Sequence, residues 1–172
     1  VLLLSYNVMI GEKLANAVSD LKNVTATNYH RFCIERLKAA GITLEPAEGT
    51  DFWRFKVPDA FAELIKKYPL KYDAIIVDEG QDFHEEYWVT ISEMLEDNGF
   101  FYIFYDPDQN LFGGELVFPI KNELFILNVN CRNTRSIFDK LKLLIKKEMR
   151  LNSEAPEGEA VTEKIVPDPS VR

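Results

Sequence analysis

Short apolar runs alternate along the chain with segments in which apolar residues recur every three or four positions. Mainly apolar runs of strand length lie at 1–5, 72–77 and 100–105, and helical spacing appears at 12–21 and 29–40. Apolar runs that continue through both faces are typical of strands in parallel sheets, which helices cover on each side. The alternation therefore predicts an α/β fold with a parallel sheet and crossover helices.

The second half of the chain continues the alternation less regularly. Its predicted elements are helices over 58–68, 84–97 and from 134 onward, and a strand over 124–129. From residue 152 the helical pattern ends, and three prolines with scattered glutamates indicate a linker or the first extended piece of another domain. We therefore predict one domain over 1–151 and a different segment over 152–172.

Composition narrows the class of protein. Apolar residues make up 47% and charged residues 28%, which is typical of globular domains and excludes a disordered, collagen-like or membrane-embedded chain as a whole. Lys and Arg number 20 against 28 Asp and Glu, so the net charge is −8 and any contact with nucleic acid must be local. Cys33 and Cys131 form no metal-binding pattern, which favours a reducing compartment.

The first residues carry information about location. The apolar run at 1–6 lacks a Met and a basic leader, and it is too short for a signal sequence or a membrane span. We therefore expect a cytoplasmic protein without a membrane partner, and a chain that begins midway through a longer protein.

Acidic residues follow directly after the apolar run at 72–77, in the string D-E-G-Q-D. Asp78 and Glu79 at the end of a strand are the two carboxylates that a nucleotide hydrolase needs, one to hold Mg²⁺ and one to orient or deprotonate the attacking water. Gln81 and Asp82 add hydrogen-bonding groups in the same turn. A bare Asp-Glu pair is more often a solvated turn, whereas the full string is much less common by chance.

Two further polar groups follow predicted strands. The run at 100–105 ends in Asp106 and Gln109, and parallel neighbouring strands would place Gln109 within reach of the phosphate that Glu79 faces. Arg132 precedes a predicted helix, where a guanidinium can neutralise the charge of a phosphoryl group in transfer. Taken singly, these segments are also compatible with an ordinary turn and a surface arginine.

The order of these segments resembles the motifs of superfamily 1 helicases of the UvrD/Rep kind. D-E-G-Q-D resembles the Walker B motif, Y-D-P-D-Q the third motif and N-C-R-N-T the fourth. Upstream, V-L-L-L-S-Y-N resembles motif Ia, and T-N-Y-H-R-F-C resembles the T-F-H-S-F-C segment. The resemblance covers about residues 1–150. It implies a RecA-like parallel sheet with flanking helices, of the P-loop NTPase type and truncated, forming the first motor domain of the family.

The resemblance also implies roles for single residues. Asp78 would help to hold Mg²⁺, Glu79 would activate water, Gln109 would sense the γ-phosphate and Arg132 would act as an arginine finger. Supporting positions are Gln81, Asp82 and Asp106. Residues implied to line a single-strand path are Ser5, Tyr6, Asn7, Tyr29, His30 and Phe112. Tyr29 also lies on the apolar face of its helix, where a core position is the alternative.

Cofactors and partners follow from the same resemblance. The implied cofactors are ATP and Mg²⁺, and the implied partners are single-stranded DNA, with RNA as the alternative, and a second RecA-like domain of the same parent chain. Aromatic side chains stack on bases without needing a basic surface, which agrees with the net charge.

The sequence departs from the family pattern in several places. No G-x-x-x-x-G-K-[ST] phosphate loop occurs, and the family places it upstream of Val1. Tyr105 stands where the family often has Gly, and Cys131 where it has Tyr. We therefore expect an ATP-dependent helicase or translocase as the parent protein and an inactive isolated chain. The alternative is a non-catalytic, helicase-derived binding or regulatory module. A Mg²⁺-dependent nuclease is less favoured, because the D-E-G-Q-D strand contains no Lys.

Overall fold

The structure of the chain is a computed structural model, and it divides into two compact units, Val1–Lys121 and Asn122–Arg172. The residues that the structure describes are 1–45, 51–110, 116–120, 124–145 and 148–162. Within these ranges, the first unit contains a four-stranded sheet with its helices, and the second contains a two-stranded sheet and one helix. The predicted division into a motor domain over 1–151 and a following segment over 152–172 stays a prediction.

A parallel sheet forms the centre of the first unit. Its strands are β1 (Leu2–Ser5), β2 (Thr25–Asn28), β3 (Tyr72–Asp78) and β4 (Leu95–Ile103), in the order β2-β1-β3-β4. The register pairs Ser5 with Asp78 across β1 and β3. From β1 the chain moves outward to β2, whereas from β3 it moves outward in the opposite direction to β4. Open α/β sheets bind ligands beyond the carboxyl ends of the strands where the order reverses, which here is the junction of β1 and β3.

The helices are α1 (Val8–Ala17), α2 (Tyr29–Ala39), α3 (Val57–Lys67) and α4 (Glu85–Glu93). Two of these four helices begin within three residues of a strand end, α1 after β1 and α2 after β2. The side chain of Asn7 accepts a hydrogen bond from the backbone N–H of Met9 at 2.8 Å, and that of Asn28 accepts from Arg31 at 3.1 Å. Such caps satisfy backbone donors that a helix start leaves unpaired. Three shorter segments complete the described part of the unit, a π-helical turn at Phe52–Lys56 and 3₁₀ turns at Gly80–Asp82 and Pro107–Gln109.

The buried core joins the central strands to α2, α3 and α4. β1 contributes Leu2 and Leu4, and β3 contributes Ile75 and Val77, all four fully buried. The helices contribute several non-aromatic side chains together with five aromatic ones: Tyr29, Phe32, Phe61, Tyr87 and Trp88. Each such burial stabilises the fold by about 1.5–3 kcal/mol. Gly11 lets α1 approach β2 closely, since a Cβ there would lie 2.6 Å from the backbone nitrogen of Asn28.

The predicted α/β class and parallel sheet are confirmed, but several boundaries are wrong. The helix predicted over 12–21 is observed at Val8–Ala17, because the side chain of Asn7 caps an earlier start. The helix predicted over 84–97 ends at Glu93, and β4 begins at Leu95. The reason is pairing with a distant strand: the N–H of Tyr72 donates to the carbonyl of Met94 at 2.8 Å, and Tyr72 pairs with Leu95. A register shift between Tyr72 and Ala74 accommodates the extra residues of β4. Contacts across the sheet thus override the helical spacing.

The second unit is short. β5 (Val129–Asn130) pairs in parallel with β6 (Arg150–Leu151), and α5 (Arg135–Leu144) lies between them in the chain. The strand predicted over 124–129 is therefore present only at its end, because β6 offers two partner residues. The hydroxyl of Ser136 donates to the carbonyl of Glu157 at 2.8 Å, which ties the segment after β6 to the start of α5. No helix within the described ranges has both the length and the apolar character of a membrane span.

Candidate functional site

The turn after β3 has an unusual backbone at Glu79. Its φ of 54° and ψ of 49° are left-handed, and among the described residues Glu79 alone has a positive φ without being a glycine. Such a conformation costs on the order of 1–3 kcal/mol and persists where the surroundings hold it in place. Here the next residue, Gly80, donates its N–H to the carbonyl of Phe104 at 2.8 Å. A Cβ on Gly80 would lie 2.5 Å from Ile103, so the turn packs tightly against the end of β4.

Gln81 joins the end of β3 to the segment after β4. Its Nε2 donates to Oε2 of Glu79 at 2.6 Å, and its Oε1 accepts from the backbone N–H of Asp106 at 3.0 Å. Because that N–H can only donate, the amide oxygen must face it, and the NH₂ group must then face the carboxylate. Gln81 is buried. A hydrogen bond to a charged group contributes about 1.5–3 kcal/mol, so the bridge holds Glu79 in one orientation.

The bridge continues from Asp106 to Gln109. Oδ2 of Asp106 accepts from Nε2 of Gln109 at 2.7 Å, and its Oδ1 accepts from the N–H of Asp108 at 3.0 Å. Gln109 ends a 3₁₀ turn, Pro107–Gln109. The structure thus brings together Glu79, Gln81, Asp106 and Gln109 at the carboxyl ends of two adjacent parallel strands.

Asp78 and Asp82 flank Glu79 in the same turn. Oδ1 of Asp78 accepts from the backbone N–H of Glu79 at 3.1 Å, and Asp78 lies opposite Ser5 in the sheet. Partial burial, with the negative charge of Glu79 as a second cause, raises the pKa of the Asp82 carboxyl. Asp82 therefore holds its proton to a higher pH than an ordinary aspartate.

The carboxylate oxygens at the carboxyl end of β3 suit Mg²⁺ that is bound together with a nucleotide. Within the described part of the chain, no three His, Cys, Asp or Glu side chains are grouped so that they could hold a metal ion by themselves. Mg²⁺ in nucleotide sites is bound by one or two carboxylates together with phosphate oxygens and water. Asp78, a hard oxygen donor at the junction of β1 and β3, fits that pattern.

The residues predicted for a single-strand path separate into two groups. Ser5 and Tyr29 are fully buried. The hydroxyl of Ser5 donates to the carbonyl of Asn7 at 2.9 Å, and that of Tyr29 is hydrogen-bonded to Thr90 at 2.7 Å.

The other predicted path residues reach the surface. Asn7 is exposed, and Tyr6 and His30 are partly exposed. The rings of Tyr6 and His30 meet edge to face at 5.7 Å. Phe112 lies outside the described residues. Tyr6, Asn7 and His30 can therefore contact a single nucleic-acid strand. Ser5 and Tyr29 are buried and cannot.

Arg132 belongs to the second unit. It follows β5, in a turn where the Asn130 side chain accepts hydrogen bonds from the backbone N–H of Arg132 at 3.2 Å and of Asn133 at 3.0 Å. The residue is exposed. Asn130 thus fixes the backbone that carries the guanidinium.

One exposed aromatic residue near the candidate site was not predicted from the sequence. Trp53 lies in the π-helical turn and is 46% exposed. Its backbone carbonyl is hydrogen-bonded to Nε2 of His30 at 3.1 Å, and the two rings meet edge to face at 5.4 Å. The stretch 42–57 has little periodicity, but its string F-W-R-F interleaves aromatic and basic residues, which is a signal for stacking contacts.

Comparison with known proteins adds no family to this description. No protein-family model matches the chain, and no curated protein matches it either. The candidate site at the ends of β3 and β4 therefore rests on the chain's own motifs and contacts.

Proposed function

We propose that this chain is part of an ATP-dependent superfamily 1 helicase or translocase, and that it forms most of a RecA-like motor domain acting on single-stranded nucleic acid. The observation that carries the proposal is the hydrogen-bonded series from Glu79 through Gln81 and Asp106 to Gln109. It joins the D-E-G-Q-D and Y-D-P-D-Q segments at one sheet edge, where α/β sheets bind ligands.

In this proposal Glu79 is the general base. Its carboxylate orients the attacking water and accepts its proton, while Gln81 holds the carboxylate in position. A positioned base contributes a factor of about 10²–10⁴ to a rate. Asp82 is partly buried beside it, and this burial raises the pKa of the Asp82 carboxyl.

Asp78 would hold Mg²⁺ in the proposed site, together with the phosphates of ATP. When bound, Mg²⁺ supplies positive charge that neutralises the phosphate oxygens. The side chain of Asp78 also accepts a hydrogen bond from the backbone N–H of Glu79. Asp78 therefore stabilises the left-handed turn as well.

Gln109 and Arg132 complete the proposed machinery. Gln109 senses the γ-phosphate, and Asp106 carries a displacement of its amide back to Gln81 and Glu79. Arg132, on the turn capped by Asn130, acts as the arginine finger. The proposed partners are single-stranded nucleic acid and a second RecA-like domain, and the proposed location is the cytoplasm.

The test is the ATPase activity of the full-length protein with the substitution Glu79→Gln. The amide keeps the shape of the side chain but cannot accept a proton, so we expect turnover to fall by about 10² or more while ATP binding changes little. Glu85→Gln, at an exposed glutamate in the first turn of α4, is the matched control and should leave turnover unchanged.

Two results would contradict the proposal. Full turnover by Glu79→Gln would remove Glu79 from catalysis. A wild-type protein that binds single strands without hydrolysing ATP would favour the alternative, a non-catalytic module derived from a helicase.

A further inference from the structure

Three partly exposed rings form a row beside the candidate site. Tyr6 and His30 have ring centroids 5.7 Å apart, and His30 and Trp53 have centroids 5.4 Å apart, both pairs edge to face. Trp53 is 46% exposed, although tryptophan is on average among the well-buried residue types. The ring row, defined as Tyr6, His30 and Trp53, thus presents aromatic surface to solvent.

The ring row lies at the same end of the sheet as the carboxylates. Tyr6 is the first residue after β1, and His30 is in the first turn of α2, two residues after β2 ends. Both therefore lie at the carboxyl ends of the parallel strands, as do Asp78 and Glu79 after β3. Trp53 joins this edge because its backbone carbonyl accepts a hydrogen bond from Nε2 of His30.

Buried rings support the row from behind. The ring centroid of His30 lies 5.3 Å from that of the fully buried Tyr29 and 5.1 Å from that of the buried Tyr87. The ring centroids of Tyr6 and the buried Phe83 are 6.0 Å apart. A ring held by packed neighbours loses little conformational entropy when a ligand stacks on it. The row is therefore preorganised for a flat ligand.

Charge around the row is modest. Arg54 lies over the ring of Phe55 at 5.0 Å and forms an ion pair with Glu86 at 2.8 Å, so its charge is largely balanced. Burial lowers the pKa of His30, with the nearby His84 adding to the effect, so the imidazole is neutral at physiological pH. A surface of neutral rings in a chain of net charge −8 suits a flat aromatic group better than a dense anion.

We infer that Trp53 is a base-stacking residue and that the ring row binds successive bases of single-stranded nucleic acid. This inference rests on the proposed function, which names single-stranded nucleic acid as the partner. It adds a base-stacking role for Trp53, a residue that the helicase motifs do not include. Stacking accepts any base, because every base has a π face, and it accepts DNA and RNA alike.

The two tryptophans make the inference directly measurable in the 172-residue chain. Trp53 is 46% exposed and Trp88 is 4% exposed, so a ligand that quenches tryptophan emission by contact reports on Trp53. The probes are oligo(dT) and oligo(rU) of about 12 nucleotides, which fits the site sizes of stacking folds. Binding is also followed independently by anisotropy of the labelled oligonucleotides across a salt series.

We expect both oligonucleotides to quench the emission of the wild-type chain. Trp53→Ala should bind about 5- to 150-fold more weakly, the range that corresponds to about 1–3 kcal/mol per stacked base, with an unchanged salt slope because no charge is lost. Trp53→Phe should restore most of the affinity, and its remaining Trp88 emission should not respond to ligand. Tyr68→Ala is the control, since Tyr68 is 59% exposed at the far end of α3.

The outcomes separate the inference from the proposed function. Wild-type affinity in a folded Trp53→Ala variant would overturn the inference and leave the proposed function standing. Absence of binding by the wild-type chain to either oligonucleotide would overturn the inference, whereas the proposed function is judged separately by the ATPase activity of the full-length protein. Proline-rich peptides also dock on exposed aromatic rings. If such a peptide quenched the Trp53 emission and neither oligonucleotide did, the ring row would be assigned to peptide binding instead.

Discussion

Nε2 of Gln81 donates to Oε2 of Glu79 at 2.6 Å, while the other end of the same amide accepts from the backbone of Asp106. The two strand ends are thus linked through one buried side chain whose donor and acceptor cannot exchange places. A change at either end alters the hydrogen bond at the other.

Gln81→Glu tests this link in the full-length protein. The new carboxylate still accepts the N–H of Asp106, but its second oxygen faces the carboxylate of Glu79. Two carboxylates at such a distance share a proton, which raises the pKa of the pair. We expect ATPase activity at pH 7 to fall by about tenfold or more and to recover as the pH rises, since a base must be deprotonated to act. A pH–rate profile that matches the wild type would remove Gln81 from the positioning of Glu79.

The isolated 172-residue chain should not hydrolyse ATP at an enzymatic rate. Its sequence contains no glycine-rich loop with Lys and Ser or Thr, which in this class supplies most of the contacts to the triphosphate. We expect turnover well below roughly 1 s⁻¹, measured as phosphate release with Mg²⁺ and a single-stranded oligonucleotide present. Turnover at or above that rate would show that other residues bind the triphosphate.

Gly11→Ala should destabilise the first unit. The added Cβ would lie 2.6 Å from the backbone nitrogen of Asn28, and backbone cannot move aside as a flexible side chain can. We expect a loss of about 1–3 kcal/mol in the free energy of unfolding, measured with urea. Lys13→Ala, at an exposed position of the same helix, should stay within about 0.5 kcal/mol. Equal stability of the two variants would contradict the close approach of α1 to β2.

Asp82→Asn should change the pH dependence of stability. Because the pKa of Asp82 is raised in the folded state, the folded chain binds more protons there than the unfolded chain, and this contribution to stability is lost as the pH rises through the folded pKa. The variant should therefore gain stability relative to the wild type at pH 7 and little at pH 3. Urea unfolding at both pH values measures this, with Asp73→Asn, at an exposed position of β3, as the control. A variant that is less stable at pH 7 would contradict the burial of Asp82.

The two histidines should titrate below their ordinary pKa of about 6.5. Burial lowers the pKa of His30, and burial together with the charge of Arg54 lowers that of His84. Between the folded pKa and about 6.5 the unfolded chain binds more protons, so the contribution of each ring to stability is lost as the pH falls through the folded pKa. NMR titration of the ring protons measures both values, with His84→Asn to assign them. A value above 6.5 for His30 would contradict its place among the buried rings.

The class of the fold and the polar strand ends follow from the local order of residues along the chain. Mainly apolar runs such as 1–5 and 72–77 need cover on both faces, which is typical of strands in a parallel sheet. Asp78, Glu79, Asp106 and Gln109 follow such runs, and parallel strands place their carboxyl ends at one edge. These are consequences of local order along the chain.

Which distant residues come into contact depends on how the segments pack together. The pairing of Tyr72 with Leu95 turned a predicted helix end into β4, and burial separated Ser5 and Tyr29 from the surface residues Tyr6 and His30. The bridge by Gln81 and the contact of Trp53 with His30 join residues that lie more than 20 positions apart. Local spacing cannot predict such pairs, because their energy comes from contacts formed only once the distant segments have packed together.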